Sequence, residues 1–367
     1  MKKRGKIMKM PANYTKLLLT LEPLSAYSFS AENAFSDGSG TFIEENGLSR
    51  PALKKRASYL AASNIMPPQS TVFGTVRRLL LEISGLFKSS WDYTQEEEIN
   101  QIELIGANSF TFLSNNTDFG VIKSIDPVLV YDKELRYPLL PLPFDRAGSK
   151  IVSITDDLVL KDFNYKEWFP RSYLDVSGEI IEKKNIFKDF LNVGNHRLEM
   201  TNEEDSVFHI RERYRLQRKY AFATNVYLDL DKTGIVDIGK LTKEPVFVPM
   251  GADGTVFKAA LSTSVYNLSK FKFPDCTPRI VAISPCLFPG KGWTGKCKAA
   301  MVSGTVQRIA QTSGSSLKLN STRYRLAEPG SVWFFDSKDQ RDDFCRIIID
   351  NKPLQIAGFN YVIKYGE

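Results

Sequence analysis

The chain has 367 residues, 43% of them apolar and 25% charged, which is the composition of a soluble globular protein with one large domain or two. No apolar run reaches the roughly 18 residues of a membrane span, and the four scattered cysteines exclude a disulfide framework, so we expect a cytoplasmic protein. The net charge of +7 favours an anionic partner, and RNA, DNA and an acidic protein surface all fit it.

The first half of the chain mixes strand-like and helical patterns. Residues 14–21 predict a strand that ends at Pro23, and the apolar spacing after Pro68 predicts a helix over residues 70–87. Three shorter stretches are typical of strands, at residues 99–105, 109–113 and 128–131. The proline-rich run at residues 137–144 predicts an extended connection rather than a central strand, because proline lacks the N–H donor.

The second half is richer in strands. A charged stretch at residues 181–195 predicts a hinge that carries a short helix, whereas residues 207–216 alternate as a strand does. Further strands are predicted at residues 221–230, 246–248, 255–261, 279–283, 300–309, 331–335 and 360–365, and helices at residues 235–241 and 339–349. The pattern therefore predicts a strand-rich α+β fold in two halves.

The start of the first helix is a candidate anion site. Residues 67–68 are both proline and hold the backbone extended, so a hydroxyl from the next residues is placed to cap the new helix. A glycine in the first turn permits close approach of a ligand, and two arginines follow beside a terminus that favours anions. The candidate contacts are Ser70, Thr71, Gly74, Arg77 and Arg78. An ordinary capped core helix explains the same pattern.

A stripe of arginines on the strand at residues 207–216 is a second candidate anion surface. Arg211, Arg213 and Arg215 share one face, and like charges spaced in this way repel one another unless an anionic partner is present. RNA phosphates would be such a partner. Asp229 and Asp231 of the following strand would serve equally well without a ligand.

The sequence motifs of catalytic and metal-binding sites are incomplete in this chain. The glycine-rich run at residues 290–297 approaches a nucleotide-triphosphate loop, but Cys297 stands where a Mg²⁺-binding hydroxyl is required, and a strand pattern follows. The cysteines form no CxxC pair. His196, in a predicted loop, and His209, in the arginine strand, have no neighbouring nucleophile that spacing identifies. No metal or cofactor is predicted.

Several sequence blocks occur in an order that resembles a known family. They are residues 21–24 (LEPL), 67–77 (PPQSTVFGTVR), 327–335 (AEPGSVWFF) and 357–360 (AGFN), with weaker matches at residues 124–129, 250–254 and 302–306. They make the chain similar to the third subunit of the Cmr effector complex of type III-B CRISPR systems, a RAMP protein. Two places depart from the family: no arginine accompanies Tyr27-Ser28-Phe29-Ser30, and Gly251-Ala252-Asp253-Gly254 replaces the usual paired glycines.

The resemblance implies two tandem ferredoxin-like (RNA-recognition-like) domains with long loop insertions, which we place at residues 1–195 and 196–367. It also implies a non-catalytic subunit that holds the 5′ repeat-derived tag of the guide RNA. In that position the subunit joins the large polymerase/cyclase-like subunit to the backbone RAMP subunits. Target RNA cleavage and signalling belong to those other subunits.

The expected RNA contacts lie at or beside the matched positions and, as a second surface, on the arginine stripe. Ser70, Thr71 and Gly74 would present donors to the tag phosphates, with Arg77 or Arg78 beside them. Gly251, Gly254 and Gly358 would let RNA or a neighbouring subunit approach the backbone, and Arg211, Arg213 and Arg215 would form a second phosphate surface. Two alternatives stay open. One is a RAMP endoribonuclease that processes the guide precursor through Tyr27, a lysine or His196, and the other is the equivalent subunit of a type III-A complex.

Overall fold

The computed structural model describes residues 14–30, 34–36, 41–44, 49–51, 59–88, 90, 92–112, 115–144, 146–147, 150–151, 172–196, 207–232, 237–251, 254–268, 271, 278–288, 295–307, 310–313, 316–319 and 324–365. The helices of this part of the chain are α1 (Gln69–Ser84), α2 (Gln95–Ile105), α3 (Lys183–Ile186), α4 (Ile238–Lys243), α5 (Lys338–Ile349) and α6 (Lys352–Ile356), with a 3₁₀ turn at Leu230–Lys232.

The strands are β1 (Thr15–Pro23), β2 (Phe29–Ser30), β3 (Ala34–Ser36), β4 (Thr41–Glu44), β5 (Ser49–Pro51), β6 (Tyr59–Ala61), β7 (Ser63–Asn64), β8 (Ile122–Ile125), β9 (Leu129–Asp132), β10 (Tyr137–Pro141), β11 (Arg146–Ala147), β12 (Lys150–Ile151), β13 (Ser172–Leu174), β14 (Ile180–Glu182), β15 (Phe187–His196), β16 (Val207–Leu216), β17 (Tyr220–Leu228), β18 (Val246–Met250), β19 (Thr255–Ser262), β20 (Arg279–Ala282), β21 (Ala299–Met301), β22 (Gly304–Gln307), β23 (Ala310–Ser313), β24 (Ser316–Leu319), β25 (Tyr324–Ala327), β26 (Val332–Phe334) and β27 (Val362–Tyr365).

The first sheet has nine strands in the order β14-β13-β10-β9-β17-β1-β19-β18, with β8 paired to β17. Its central strand β1 lies antiparallel to both neighbours, so that Leu21 is opposite Phe222 on β17 and Ala259 on β19. Four adjacent strands of this sheet can be numbered 1 to 4 along the chain, as β1, β9, β17 and β19. Counted across the sheet from β19, their order is then 4-1-3-2. The inward side chains of these strands and the apolar face of α1 build the main hydrophobic core.

A second sheet holds the last part of the chain. Its strands are antiparallel and stand in the order β21-β26-β20-β27, which is again 4-1-3-2 along the chain. Helix α5 packs on this sheet, where Phe344 and Ile348 join a buried cluster with Trp333 and Phe335. Each sheet therefore has its own covering helix and its own core.

Strands β15 and β16 form a long antiparallel pair, called the hairpin below, that lies next to the end of β1. They pair over ten residues, from Phe187 opposite Leu216 to His196 opposite Val207. The backbone of Tyr214 on β16 bonds to that of Tyr27, just after β1, at 2.8 and 2.9 Å. Through β6, the hairpin continues into a six-stranded sheet, β15-β16-β6-β3-β4-β5.

The structure confirms the α+β class, the first helix and most strands of the second half, but it corrects three predictions in the first half. Residues 99–105 were expected to be a strand and belong to α2, because Thr94 and Glu97 form a capping box and glutamates fill the first turn. Residues 109–112 lie outside any helix or strand.

The proline-rich run was expected to cross the surface as a connection, yet residues 137–141 form β10 within the sheet. Its prolines are accommodated because the strand changes partner halfway along. Pro138 is paired only with β9, and Pro141 only with β13, so neither proline lies between two complete ladders.

The first sheet crosses the predicted domain boundary between residues 195 and 196. β17, β18 and β19 all follow that boundary and pair, directly or in turn, with β1. The described strands of the second sheet begin at Arg279. His196, expected in a loop, is the last residue of β15.

Candidate nucleic-acid interface

The first helix begins before the hydroxyl residues that were expected to cap it. α1 starts at Gln69, with Pro68 at the N-cap position and no side chain bonded to the free N–H groups. The predicted capping by Ser70 or Thr71 is therefore wrong, because the extended proline backbone already ends at residue 68 and both hydroxyl residues fall inside the first turn. Val72 donates to the Pro68 carbonyl at 3.1 Å, and no described side chain caps the amides before it.

Gln69 ties the start of α1 to the first sheet. Its buried side chain donates from Nε2 to the Asp126 carbonyl at 3.1 Å, and its Oε1 accepts the Val128 N–H at 2.9 Å. Gly358, from the terminal AGFN block, has a φ of +83°, and a Cβ there would overlap Gln69 Nε2 and lie 2.8 Å from the Asp126 carbonyl oxygen. The close approach predicted at Gly358 is thus an approach to this chain's own glutamine.

Asp126 carries a largely enclosed carboxylate beside this contact. Its Oδ2 accepts the Asn225 side-chain amide at 2.7 Å and the Tyr227 hydroxyl at 3.3 Å. Burial raises the pKa of the Asp126 carboxyl, although both hydrogen bonds favour the charged form.

The blocks that carry the family resemblance meet where the two sheets join. The Gly330 carbonyl accepts the Phe144 N–H at 2.8 Å, and its φ of +96° is one that favours glycine. Between the helix start and this glycine turn lies a cavity of about 330 Å³. Its lining includes Pro67, Pro68 and Gln69 from the block at residues 67–77, Pro329 from the block at residues 327–335, and Ser172 and Tyr173 of β13.

The two arginines of α1 are engaged within the chain. Arg77 donates from Nη2 to the Gly106 carbonyl at 3.2 Å, and burial lowers its pKa to about 10. Arg78 pairs with Glu82 at 2.7 Å, and its guanidinium lies 4.8 Å from the centroid of the Phe87 ring. Gly74 differs from both, because it is exposed and open space surrounds the position of its missing Cβ.

The arginines of β16 occupy one face of the hairpin, as predicted. Arg211 is opposite Asn192, Arg213 is opposite Phe190 and Arg215 is opposite Lys188. Directly opposed residues of an antiparallel pair project from the same face, so this face combines four basic side chains with an aromatic ring. We call it the basic hairpin face, and define it by Lys188, Phe190, Arg211, Arg213 and Arg215.

Most of the basic hairpin face is available to a ligand. Lys188, Arg211 and Arg215 are exposed, Phe190 is 38% exposed, and the Arg215 guanidinium stands 5.6 Å from the Phe190 ring centroid. Among the residues that the structure describes, no carboxylate pairs with Arg211 or Arg215. Asp229, offered above as an internal partner, pairs with Lys123 at 3.2 Å.

Arg213 differs from its two neighbours. Its Nη2 donates to the Ala26 carbonyl at 2.6 Å and to Thr255 Oγ1 at 3.4 Å, which joins the hairpin to the ends of β1 and β19. In the adjoining β18–β19 turn, a Cβ on Gly251 would overlap the Ser28 carbonyl, so its close approach is internal. Gly254, with a φ of +64°, faces open space.

Of the named residues considered for nuclease chemistry, Tyr27 is the one whose side chain the structure describes, and it is poorly placed for catalysis. Tyr27 is fully buried, its hydroxyl donates to the Ile65 carbonyl at 2.8 Å, and burial raises its pKa well above the ordinary value. The side chains of His196 and His209 lie outside the described part. No described group of three or more His, Cys, Asp or Glu side chains is arranged to hold a metal ion, and no described helix is long and apolar enough to cross a membrane.

Two members of the basic hairpin face were missed in the sequence. Lys188 and Phe190 lie in residues 181–195, which were expected to form a hinge. The signal that could have found them is the alternation of 187–193 opposite an already recognised strand, which a hairpin pairing requires.

Comparisons with known proteins fall on both halves of the chain. The family described as "CRISPR-associated protein (Cas_Cmr3)" matches residues 159–363. The solved structures that match include a chain of the type III-B Cmr-beta complex bound to cognate target RNA, at 14% identity and a TM-score of 0.43, with 92% of this chain and 94% of that chain covered.

A second Cmr-beta structure, with cognate target RNA and AMPPnP, matches at 15% identity and a TM-score of 0.44, covering 95% of this chain and 96% of that one. A chain of a Csm1-Csm4 cassette in complex with cA4 matches at 12% identity and a TM-score of 0.34, covering 87% of each chain. No curated protein matches the sequence.

Proposed function

The chain belongs to the Cas_Cmr3 family of CRISPR-associated proteins, and from this premise we propose that it is a non-catalytic, RNA-binding subunit of a type III-B effector complex. It holds the 5′ repeat-derived tag of the guide RNA. It also joins the large polymerase/cyclase-like subunit to the backbone RAMP subunits.

The proposal of RNA binding rests on the basic hairpin face. Arg211 and Arg215 are exposed and lack an acidic partner among the described residues, and Lys188 stands opposite Arg215. Repulsion between these charges is relieved when phosphates come between them. Phe190 lies on the same face and offers a ring on which a base can stack.

The start of α1 supports a second RNA contact. The first-turn amides next to Ser70 and Thr71 have no capping side chain, and Gly74 is open to approach. The neighbouring cavity has a volume of about 330 Å³, which is near the lower end of the range for small-ligand sites. A cavity of this size suits a single nucleobase but not a nucleic-acid duplex. A phosphate at the helix start and its base in the cavity would together fix one tag nucleotide.

The strand orders support two ferredoxin-like halves. In each sheet the four main strands stand in the order 4-1-3-2, which is that of a βαββαβ unit, with α1 and α4 as the crossovers of the first and α5 within the second. We place the division between residues 262 and 279. The joint between the halves is where the cavity lies.

RNA binding is tested with the full-length chain and a labelled RNA that carries the host's repeat-derived tag. The Arg211→Ala/Arg215→Ala double variant should bind more weakly, and the magnitude of its slope of log affinity against log salt should fall by about 1.4, since each lost phosphate contact to a single strand removes about 0.7. Fluorescence anisotropy at several salt concentrations measures both quantities.

A matched control removes the same charge elsewhere. Arg346 and Lys240 are both exposed and lie outside the hairpin, so the Arg346→Ala/Lys240→Ala double variant should keep the wild-type slope. Equal losses in the two double variants, or tag binding that does not respond to salt, would contradict the proposal.

The non-catalytic role needs a separate experiment. Labelled repeat RNA incubated with the protein, without and with Mg²⁺, should remain intact, because Tyr27 is buried and bonded to a backbone carbonyl. Site-specific cleavage that His196→Ala or His209→Ala abolishes would instead favour a processing endoribonuclease.

A further inference from the structure

Helix α2 has an outward face that the RNA contacts do not use. Ile99 and Ile102 are 51% and 49% exposed, and their spacing of three residues makes them neighbours on one side of the helix. Leu104, on the opposite side, is fully buried against the main core. The helix is thus apolar on two sides, and only one of them is covered within the described chain.

Acidic side chains surround the two isoleucines. The segment Gln95–Ile105 contains four glutamates and no basic residue, in a chain whose net charge is +7. Glu97 is engaged at the helix start, where it accepts the Thr94 N–H at 2.9 Å and the Lys88 ammonium at 2.6 Å. Glu96, Glu98 and Glu103 are exposed and lie three or four positions from an exposed isoleucine.

We propose that this face docks another protein subunit of the effector complex, through a surface with apolar side chains at its centre and lysines or arginines at its edge. RNA is a poor occupant because four carboxylates would repel its phosphates. A second copy of this chain through the same face would bring two acidic rims together. A basic partner gains from both the burial of the isoleucines and the opposite charge.

This inference rests on the proposed function only in that the chain works within a multi-subunit complex. The RNA contacts lie on the hairpin and at the start of α1, whereas the docking face lies on α2. Failure of one assignment therefore leaves the other standing, because the two are measured by different readouts.

The first test uses the complex reconstituted from all its subunits and its guide RNA. Ile99→Gln/Ile102→Gln keeps good helix-forming residues, removes the apolar centre and should weaken retention of one protein subunit at least tenfold, as measured by native mass spectrometry across a dilution series. The matched control is Ile347→Gln/Ile349→Gln, which changes two isoleucines of α5 that are 37% and 38% exposed and should retain every subunit.

A second test does not depend on removal of apolar groups. A carbodiimide links carboxylates to amines in contact, so peptides that contain Glu96, Glu98 or Glu103 should be joined to lysines of one neighbouring subunit. The Glu103→Lys variant, which changes the last turn of α2 and leaves its acidic first turn intact, should weaken the same subunit's retention while its thermal unfolding midpoint stays close to wild type.

Three outcomes would overturn the docking face. They are full retention of all subunits by the Ile99→Gln/Ile102→Gln variant, equal loss in the α5 control, and self-association of the isolated chain that the α2 variants abolish. Loss of tag affinity with retained subunits would show that RNA occupies the face instead.

Discussion

The start of α1 and the basic hairpin face both contain the residue types of an anion site. They differ in how far contacts within the chain already engage those residues. At α1, Gln69 and Gly358 are locked against each other, and Arg77 and Arg78 bond within the chain. On the hairpin, Arg211 and Arg215 are exposed and have no acidic partner in the described part. A charged side chain or a glycine therefore indicates a ligand site only where no contact within the described chain already accounts for it.

The largest expected effect is at the most tightly packed position of the α1 region. Gly358→Ala should destabilise the protein by about 3 kcal/mol, because the φ of +83° disfavours a Cβ by about 1–2 kcal/mol and overpacking against Gln69 and the Asp126 carbonyl adds about 1–3 kcal/mol. Urea denaturation gives the free energy of unfolding. Gly254→Ala, at a similar φ but in open space, should lose only the backbone contribution, and equal losses would show that the packing is loose.

Removal of the Gln69 side chain should have the next largest effect. Gln69→Ala leaves the Asp126 carbonyl and the Val128 N–H without their buried partner, at about 1–3 kcal/mol. The control is Gln101→Ala, which removes one half-buried hydrogen bond to the Leu86 carbonyl and should cost no more than about 1 kcal/mol. A loss at Gln69 no greater than at Gln101 would mean that Gln69 does not join the helix to the sheet.

On the hairpin, two neighbouring arginines should separate stability from RNA binding. Arg213→Ala should lower the free energy of unfolding by about 1–2 kcal/mol, because it removes the bond to the Ala26 carbonyl, whereas Arg211→Ala should stay within about 0.5 kcal/mol of wild type. Tag affinity should fall with Arg211→Ala. If Arg211→Ala also unfolds the protein, the basic hairpin face is structural.

Local patterns predicted the elements that obey one clear period. The alternation of β16 and the apolar spacing of α5 placed these two elements within one residue of their observed limits, and the start of α1 was placed equally well, although α1 ends three residues before the predicted residue 87. α2 was mistaken for a strand because a short isoleucine-rich run fits either period, and its capping residues lie before the run. β10 was missed because no local rule shows that a strand changes partner between its two prolines.

The sequence identified candidate site residues only where an exposed side chain is itself the group that would bind the ligand. Arg211 and Arg215 could be found from charge and alternation, but the internal roles of Gly358 and Gly251 depend on contacts with Gln69 and Ser28, which are distant in the sequence. Such contacts follow from the register of the sheets, and a single sequence contains no direct record of that register.

Gly74 should respond in the opposite direction to Gly358. Gly74→Ala should stabilise the protein by about 0.5–1 kcal/mol, because the position is helical and nothing within the described chain meets the new Cβ. The same change should weaken tag binding if RNA approaches the backbone there. Calorimetry and anisotropy on one variant measure both effects, and unchanged affinity would remove Gly74 from the RNA contacts.

The smallest effect is a pH dependence at the base of the α1 region. Burial raises the pKa of Asp126, so its contribution is fully present below the unfolded pKa and is lost as pH rises through the folded value. Wild type should therefore gain stability relative to Asp126→Asn as pH falls from 7. Asp342 is the control of opposite sign, because hydrogen bonds from Lys364 and Arg341 outweigh burial and lower its pKa, so its stabilising contribution is lost at acid pH. Parallel curves for Asp126→Asn and Asp342→Asn would show that Asp126 stays solvated and that the start of α1 is as open as the basic hairpin face.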